Sequence, residues 1–219
     1  MDTHNTDEEL EKQKSWWQSY GNSVIAGIVL GVALLGGITY WKQHKSERAS
    51  QASTLYDTFI IGVRQNNVVA MNDAGSRLVS DYSATPYAGK AALILAKQNY
   101  DTKDVEGARK HLQWALDHAT ETATRHMAGL RLARILMEQG ALEPALKLAN
   151  VSDMGGFVSE YQELRGDILL AQGKKAEARK AYTLALAELA KGSAYERVLK
   201  MKRDDLGVPE TTPPAEPLK

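Results

Sequence analysis

Residues 166–186 read GDILLAQGKKAEARKAYTLAL, and residues 133–149 read ARILMEQGALEPALKLA. Both run from a small residue through an apolar pair to Gln-Gly, then into a segment that opens around an alanine. Gly140 aligns with Gly173 and Ala145 with Ala178, each pair 33 residues apart (173 − 140 = 178 − 145 = 33). A weaker third copy, AKQNYDTKDVEGARKHLQWAL at residues 96–116, sets Ala108, Leu112, Ala115 and Leu116 in register with Ala178, Tyr182, Ala185 and Leu186. Its Ala108 precedes Ala145 by 37 residues, so a short insertion separates those copies (145 − 108 = 37). A fixed period of this size means stacked supersecondary units that bury their apolar faces on one another. Beyond residue 42 the apolar residues recur at helical spacing, with no sustained alternation.

Each repeated residue type has a physical reason. Antiparallel helices approach closely only where small side chains sit at the crossing, a role that falls to Gly166, Ala178 and Ala185. Gly140 and Gly173 accept the positive φ at which the first helix of a pair ends. Tyr182 and Leu186 are large enough to fill the gap to a following pair. Gly, Gly, Ala, aromatic and Ala at this period resemble the tetratricopeptide repeat, most specifically in residues 166–186. Residues 51–66 and 70–82 would form a degenerate first pair without the turn glycine, and residues 193–205 a capping helix. Pro86 after Thr85 marks a helix start, Pro144 sits in a first turn, and the other four prolines fall after Leu206.

The 27 basic and 27 acidic residues cancel, which argues against a charged face for nucleic acid. Cysteine is absent, excluding disulfides, thiolate metal sites and cysteine nucleophiles. Charge is segregated: residues 15–41 carry none, and residues 1–14 hold five acids against Lys12 and Lys14. Residues 20–41, YGNSVIAGIVLGVALLGGITYW, would span about 33 Å as a helix, near the ~30 Å hydrocarbon thickness. Trp16, Trp17 and Tyr20 flank one end, and Tyr40 and Trp41 the other, as aromatic belts do. An acidic leading region and no prompt cleavage site speak for a retained span rather than a signal peptide. Ser23, Gly27 and Gly31 form a small-residue ridge suited to a helix–helix contact in the bilayer, or reflect composition alone. Lys42, Lys45 and Arg48 after the span, against Lys12 and Lys14 before it, lean toward a cytoplasmic C-terminal side and leave orientation open.

The fold expectation is therefore all-α: a single N-terminal transmembrane helix followed by a tetratricopeptide-like α-solenoid. Its divisions are an acidic segment (1–19), the span (20–41), a linker with the first soluble helix (42–66), the repeat domain (67–205) and a disordered Pro-rich tail (206–219). Repeat domains bind chains along the first helices of their pairs. There, Met127, Leu130, Arg134 and Met137 make one candidate stripe, and Glu160, Glu163 and Asp167 the next. The alternative is that the first stripe is core and the acids a solvated face. His111 and His118 could share a helix face but lack further ligands, so no metal is expected. Lys174, Lys175, Arg179 and Lys180 read as a solvated face. No nucleophile elbow, phosphate loop, metalloprotease motif or dinucleotide fingerprint occurs, so neither catalysis nor a cofactor is expected.

Several features occur in one order: the acidic start, W-W-Q-S-Y-G-N leading into a Gly-rich span closed by Y-W, a linker with Ser53, Tyr56 and Asp57, T-P-Y-A-G-K-A-A-L-I-L-A-K at 85–97, R-L-A-R at 131–134, and the last repeat. Over residues 8–206 this resembles the YfgM family, the ancillary subunit of the bacterial SecYEG translocon. The resemblance implies a non-enzymatic adaptor with a cytoplasmic N-terminus, one inner-membrane span and a periplasmic repeat domain. It also implies association with SecYEG and with a membrane-anchored periplasmic chaperone of the PpiD type; on this reading the repeats either recruit that chaperone or contact unfolded secretory chains as they emerge. The orientation it implies runs against the charge count. A cytoplasm-facing scaffold for another envelope complex is the alternative.

Overall fold

The computed structural model describes residues 4–190 and 192–207. In the first helix, side chains are described at positions 14, 16, 17, 19, 26 and 27 and from 29 onward. Helices α1 (His4–Arg64), α2 (Val68–Asp81), α3 (Pro86–Asp101), α4 (Val105–His118) and α5 (Thr122–Glu138) come first. They are followed by α6 (Leu142–Ala149), α7 (Val158–Ala171), α8 (Lys175–Glu188) and α9 (Glu196–Asp204). A single 3-10 turn, Gly155–Phe157, precedes α7, and no strand occurs among the described residues. The chain divides into two units, Met1–Gln51 and Ala52–Lys219.

The first unit is helical from His4 on. Val29, Leu30, Val32, Leu34 and Leu35 are each between 61% and 69% exposed. A Cβ added at Gly27 or Gly31 would meet nothing. Below them, the Thr39 hydroxyl donates back to the Leu35 and Gly36 carbonyls, and the Lys45 ammonium lies over the Trp41 ring at 5.4 Å from its centroid. Among the described residues no helix is long and apolar enough to cross a membrane. Residues 20–25 and 28 of the apolar stretch, Ser23 of the small-residue ridge among them, lie outside the described side chains.

In the second unit the end of α1 pairs with α2, α3 with α4, α5 with α6 and α7 with α8. Four apolar clusters run along the array, and α3, α5 and α7 each serve two of them. Phe59, Met71, Leu78 and Leu95 join the end of α1 to α2 and α3. Ala92, Ala96, Leu112, Leu132 and Ile135 join α3, α4 and α5. Leu130, Ala133, Ala145, Tyr161, Leu164 and Ile168 join α5, α6 and α7. Leu169, Ala178, Tyr182, Ala185 and Leu199 join α7, α8 and α9. Each helix pair of the array is thus stabilised by its neighbours, as the linear logic of a repeat array requires.

The turn inside every pair has one geometry. Asn66, Lys103, Gly140 and Gly173 hold φ of 52°, 69°, 76° and 78°. In each case the next residue's N–H reaches back five positions: Asn67 to Gly62, Asp104 to Asn99, Ala141 to Leu136 and Lys174 to Leu169, at 2.8–2.9 Å. The left-handed residue itself donates three positions back, completing a Schellman motif at all four sites. The first two turns therefore achieve without glycine what the last two achieve with it. They also carry side-chain caps that the others lack: Asn67 accepts from the Ala70 N–H at 3.1 Å, and Asp104 from the Gly107 N–H at 2.9 Å.

Candidate functional site: an open cleft and a sealed acidic cluster

The candidate repeat-packing residues fall in two successive clusters, Ala145 in that joining α5, α6 and α7, and Ala178, Tyr182 and Ala185 in that joining α7, α8 and α9. Ala145, Ala178 and Ala185 are fully buried. A Cβ at Gly166 would overlap the Tyr182 ring, whose third-nearest atom would stand at 2.9 Å. Glycine at this crossing is what lets an aromatic ring lie flush on α7. Tyr182, expected to fill the gap to a following pair, lies over Gly166 within its own pair and also packs with Leu199 of α9, and its hydroxyl donates to Asp167 at 2.8 Å.

The two candidate groove stripes do not form one continuous groove. Met127 packs on the cluster between α3, α4 and α5, and Met137 on that between α5, α6 and α7. Leu130 is buried in the latter, so it belongs to the core and not to an open surface. The cause is helical geometry: α5 lies between two neighbours, and its apolar residues alternate between them. Glu160 is exposed. Glu163 is only 6% exposed, and α9 covers it. Its Oε1 accepts from the Tyr195 hydroxyl at 2.6 Å and from the Lys202 ammonium at 2.7 Å. Lys202 also donates to both Asp167 oxygens, at 2.8 and 3.0 Å, and lies over the Tyr182 ring. Glu163 is therefore closed inside the terminal repeat, and Asp167, half-buried, is tied to the same ammonium.

This cluster has matched electrostatics. Burial alone lowers the Lys202 pKa, but hydrogen bonds from its ammonium to Asp167 and Glu163 outweigh it and hold the group above its ordinary range. Burial, then the bond to Asp167, pushes the Tyr182 hydroxyl far above the usual phenol range. Burial and Glu163 move Tyr195 the same way. Arg179 of the basic cluster on α8 donates to the Arg203 carbonyl at 2.9 Å and to the Gly207 carbonyl, tying down the C-terminal end of α9. One residue of the expected solvated face is thus structural.

Arg134 lies in a different setting. It lines a cleft of about 340 Å³ between α3 and α5 with Ala96, Lys97, Tyr100, Leu112, Arg131, Ile135 and Glu138. Across its mouth the Tyr100 hydroxyl donates to Glu138 at 2.6 Å, and that carboxylate raises the Tyr100 pKa. Arg131 and Tyr100 were not among the candidate groove residues. The R-L-A-R spacing is the signal that could have found the first, because positions three apart share a helix face. Lys202 was also missed; two acids one turn apart on α7 and a lysine on a short terminal helix are its only trace in the sequence. Of the two histidines on α4, His118 stacks on Trp114 with ring centroids 5.2 Å apart.

A tetratricopeptide repeat-like domain family matches residues 14–208. The chain is 31% identical over 201 residues to the ancillary SecYEG translocon subunit of Haemophilus influenzae, covering 91% of this chain and 97% of that protein. It is 27% identical to the Escherichia coli protein of the same name, over 93% of this chain and 98% of that one. For the Neisseria gonorrhoeae protein the identity is 28%, over 91% and 96%. A helical repeat array with this turn geometry, matched over more than nine-tenths of its length by such relatives, belongs to the YfgM family of tetratricopeptide repeat-like proteins.

Proposed function

We propose that this chain is a non-catalytic adaptor of the SecYEG translocon, anchored in the inner membrane by residues 20–41. Its repeat domain faces the periplasm, where it recruits a chaperone of the PpiD type or meets emerging secretory chains. The observation that carries this reading is the match over more than nine-tenths of the chain to relatives named ancillary SecYEG translocon subunits, with a family match at residues 14–208 that takes in the apolar stretch. The exposed Val29–Leu35 surface supports a membrane anchor, since a helix apolar all round is stable only in lipid or buried in protein. Ser23, Gly27 and Gly31 would be the ridge on which a translocon helix packs, with Gly27 and Gly31 open to close approach. Tethering raises the local concentration of the repeat domain to the order of millimolar at the exit site, so weak contacts suffice. Of the candidate groove residues, Arg134 would meet such contacts from the cleft between α3 and α5, and Glu160 from the exposed face of α7.

The test is crosslinking in native membranes followed by identification of neighbours. Translocon and chaperone adducts are expected; adducts to neither would refute the reading. A cytoplasm-facing scaffold is favoured by one observation, the three cations that follow the span. Alkaline phosphatase fused to the C-terminus is expected to be active, and an inactive fusion would favour that alternative.

A further inference from the structure

We infer that the cleft between α3 and α5 is a docking site for an acidic, leucine-bearing peptide segment of a partner protein. Arg131 and Arg134 receive its carboxylates, and a floor of Ala96, Leu112 and Ile135 receives its apolar side chain. The inference rests on the adaptor reading and specifies the chemistry of what is adapted.

The charges point this way first. Arg131 and Arg134 sit three apart on α5 and share a face. Among the described residues neither guanidinium has an ion-pair or hydrogen-bond partner. Other arginines on α5 and its neighbours are committed: Arg125 of α5 to the Ala119 carbonyl, Arg109 of α4 to Glu106 and Arg165 of α7 to Gln162. Lys97 is met by Asp101 on its own helix, and Glu138 is engaged by Tyr100. The cleft thus sets Lys97, Arg131 and Arg134 against Asp101 and Glu138, a surplus of one positive charge carried by the two open guanidiniums. Paired forks of this kind take carboxylates in strong charge-assisted bonds.

Shape and polarity narrow the occupant further. A volume of about 340 Å³ over an apolar floor accommodates a side chain or two, not a folded domain. Tyr100, 37% exposed, is held by Glu138 and offers a rigid aromatic wall. A purely apolar segment would desolvate the guanidiniums without pairing them, and a basic one would meet like charge. Carboxylate beside leucine satisfies both parts of the cleft.

The probe is a fluorescein-labelled ten-residue peptide of alternating glutamate and leucine, titrated by anisotropy into the full chain in neutral detergent. Counterparts carry lysine for glutamate or serine for leucine. The glutamate–leucine peptide is expected to bind about tenfold more tightly than either counterpart, and to weaken as salt is raised. Arg131→Glu with Arg134→Glu is expected to lose about tenfold for it while circular dichroism stays helical. Equal binding of glutamate and lysine peptides, no binding at millimolar concentration, or competition by equimolar inorganic phosphate would overturn the inference. So would a tenfold gain on deleting residues 208–219, which would assign the cleft to the chain's own Glu210 and Glu216. The charge comparison on the unaltered protein keeps the test decisive if the variant misfolds. Translocon adducts retained without peptide binding would remove this inference alone; peptide binding without translocon adducts would remove the adaptor reading alone.

Discussion

Replacing Lys202 with methionine keeps most of the side-chain stem and removes the ammonium, so it isolates what that charge does. In the native domain one ammonium serves Glu163, which is 6% exposed, and Asp167. Without it each carboxylate keeps a single described donor, the Tyr195 and Tyr182 hydroxyls respectively. Breaking a fully buried pair costs about 3–5 kcal/mol. The Lys202 side chain is 32% exposed, so water screens part of the loss and about 2 kcal/mol is the better figure. For a domain of this size that lowers Tm by about 4–8 °C. Lys202→Met is therefore expected to melt early, by circular dichroism of the full chain in detergent, and adding Glu163→Gln is expected to restore part of the loss. The pH dependence has a definite sign. A group whose folded pKa is raised stabilises fully below its unfolded value and loses that contribution as pH climbs through the folded one. Lys202, with an ordinary value of 10.5, thus contributes across neutral pH and fails only in strong alkali. Tyr182 and Tyr195 act in the same direction, so the variant should show a smaller alkaline loss than the native chain, not none. An unchanged melt in Lys202→Met, or a loss concentrated below neutral pH, would refute the reasoning.

The four equivalent turns make a paired prediction. A non-glycine residue in the left-handed region costs about 1–2 kcal/mol, and glycine's extra chain entropy returns part of that. Lys103→Gly should therefore stabilise by about 0.5–1 kcal/mol in urea denaturation, while Gly173→Ala should destabilise by about 1 kcal/mol; equal signs would contradict the turn assignment. Gly166→Ala should cost about 1–3 kcal/mol by driving a methyl into the Tyr182 ring, and Tyr182→Leu in the same chain should recover part of it; an unaltered denaturation midpoint would show that the crossing has slack. Asp104→Ala should cost about 1 kcal/mol, read in the same assay, by freeing the Gly107 N–H; no loss would mean that water replaces the cap.

Much of the fold was legible because small residues and turn glycines leave a periodic trace. Gly140 and Gly173 announce their turns; Asn66, of a type that tolerates positive φ, is a fainter trace and Lys103 none, and the five-back hydrogen bonds reveal the equivalence. The capping helix was visible as an amphipathic segment, but not its partner. Pairing Lys202 with Glu163 and Asp167 depends on how α9 folds back on α7, a contact across more than 30 residues that no local pattern encodes. The groove stripes separated for a similar reason. Helical spacing puts Leu130 and Arg134 near one face of α5, but only the packing of α3 on one side and α7 on the other decides that the leucine is core and the arginine is open. The Pro-rich tail expected after Leu206 lies outside the described residues from 208 on.

The absence of native cysteine allows the anchored, outward-facing arrangement to be tested directly. Thr6→Cys and Leu184→Cys, the latter at a 52% exposed position, can each be challenged with a membrane-impermeant maleimide on spheroplasts before and after lysis. The account predicts that Leu184→Cys labels before lysis and Thr6→Cys only afterwards. The reverse pattern, or labelling of both sites on the same side of the membrane, would contradict it.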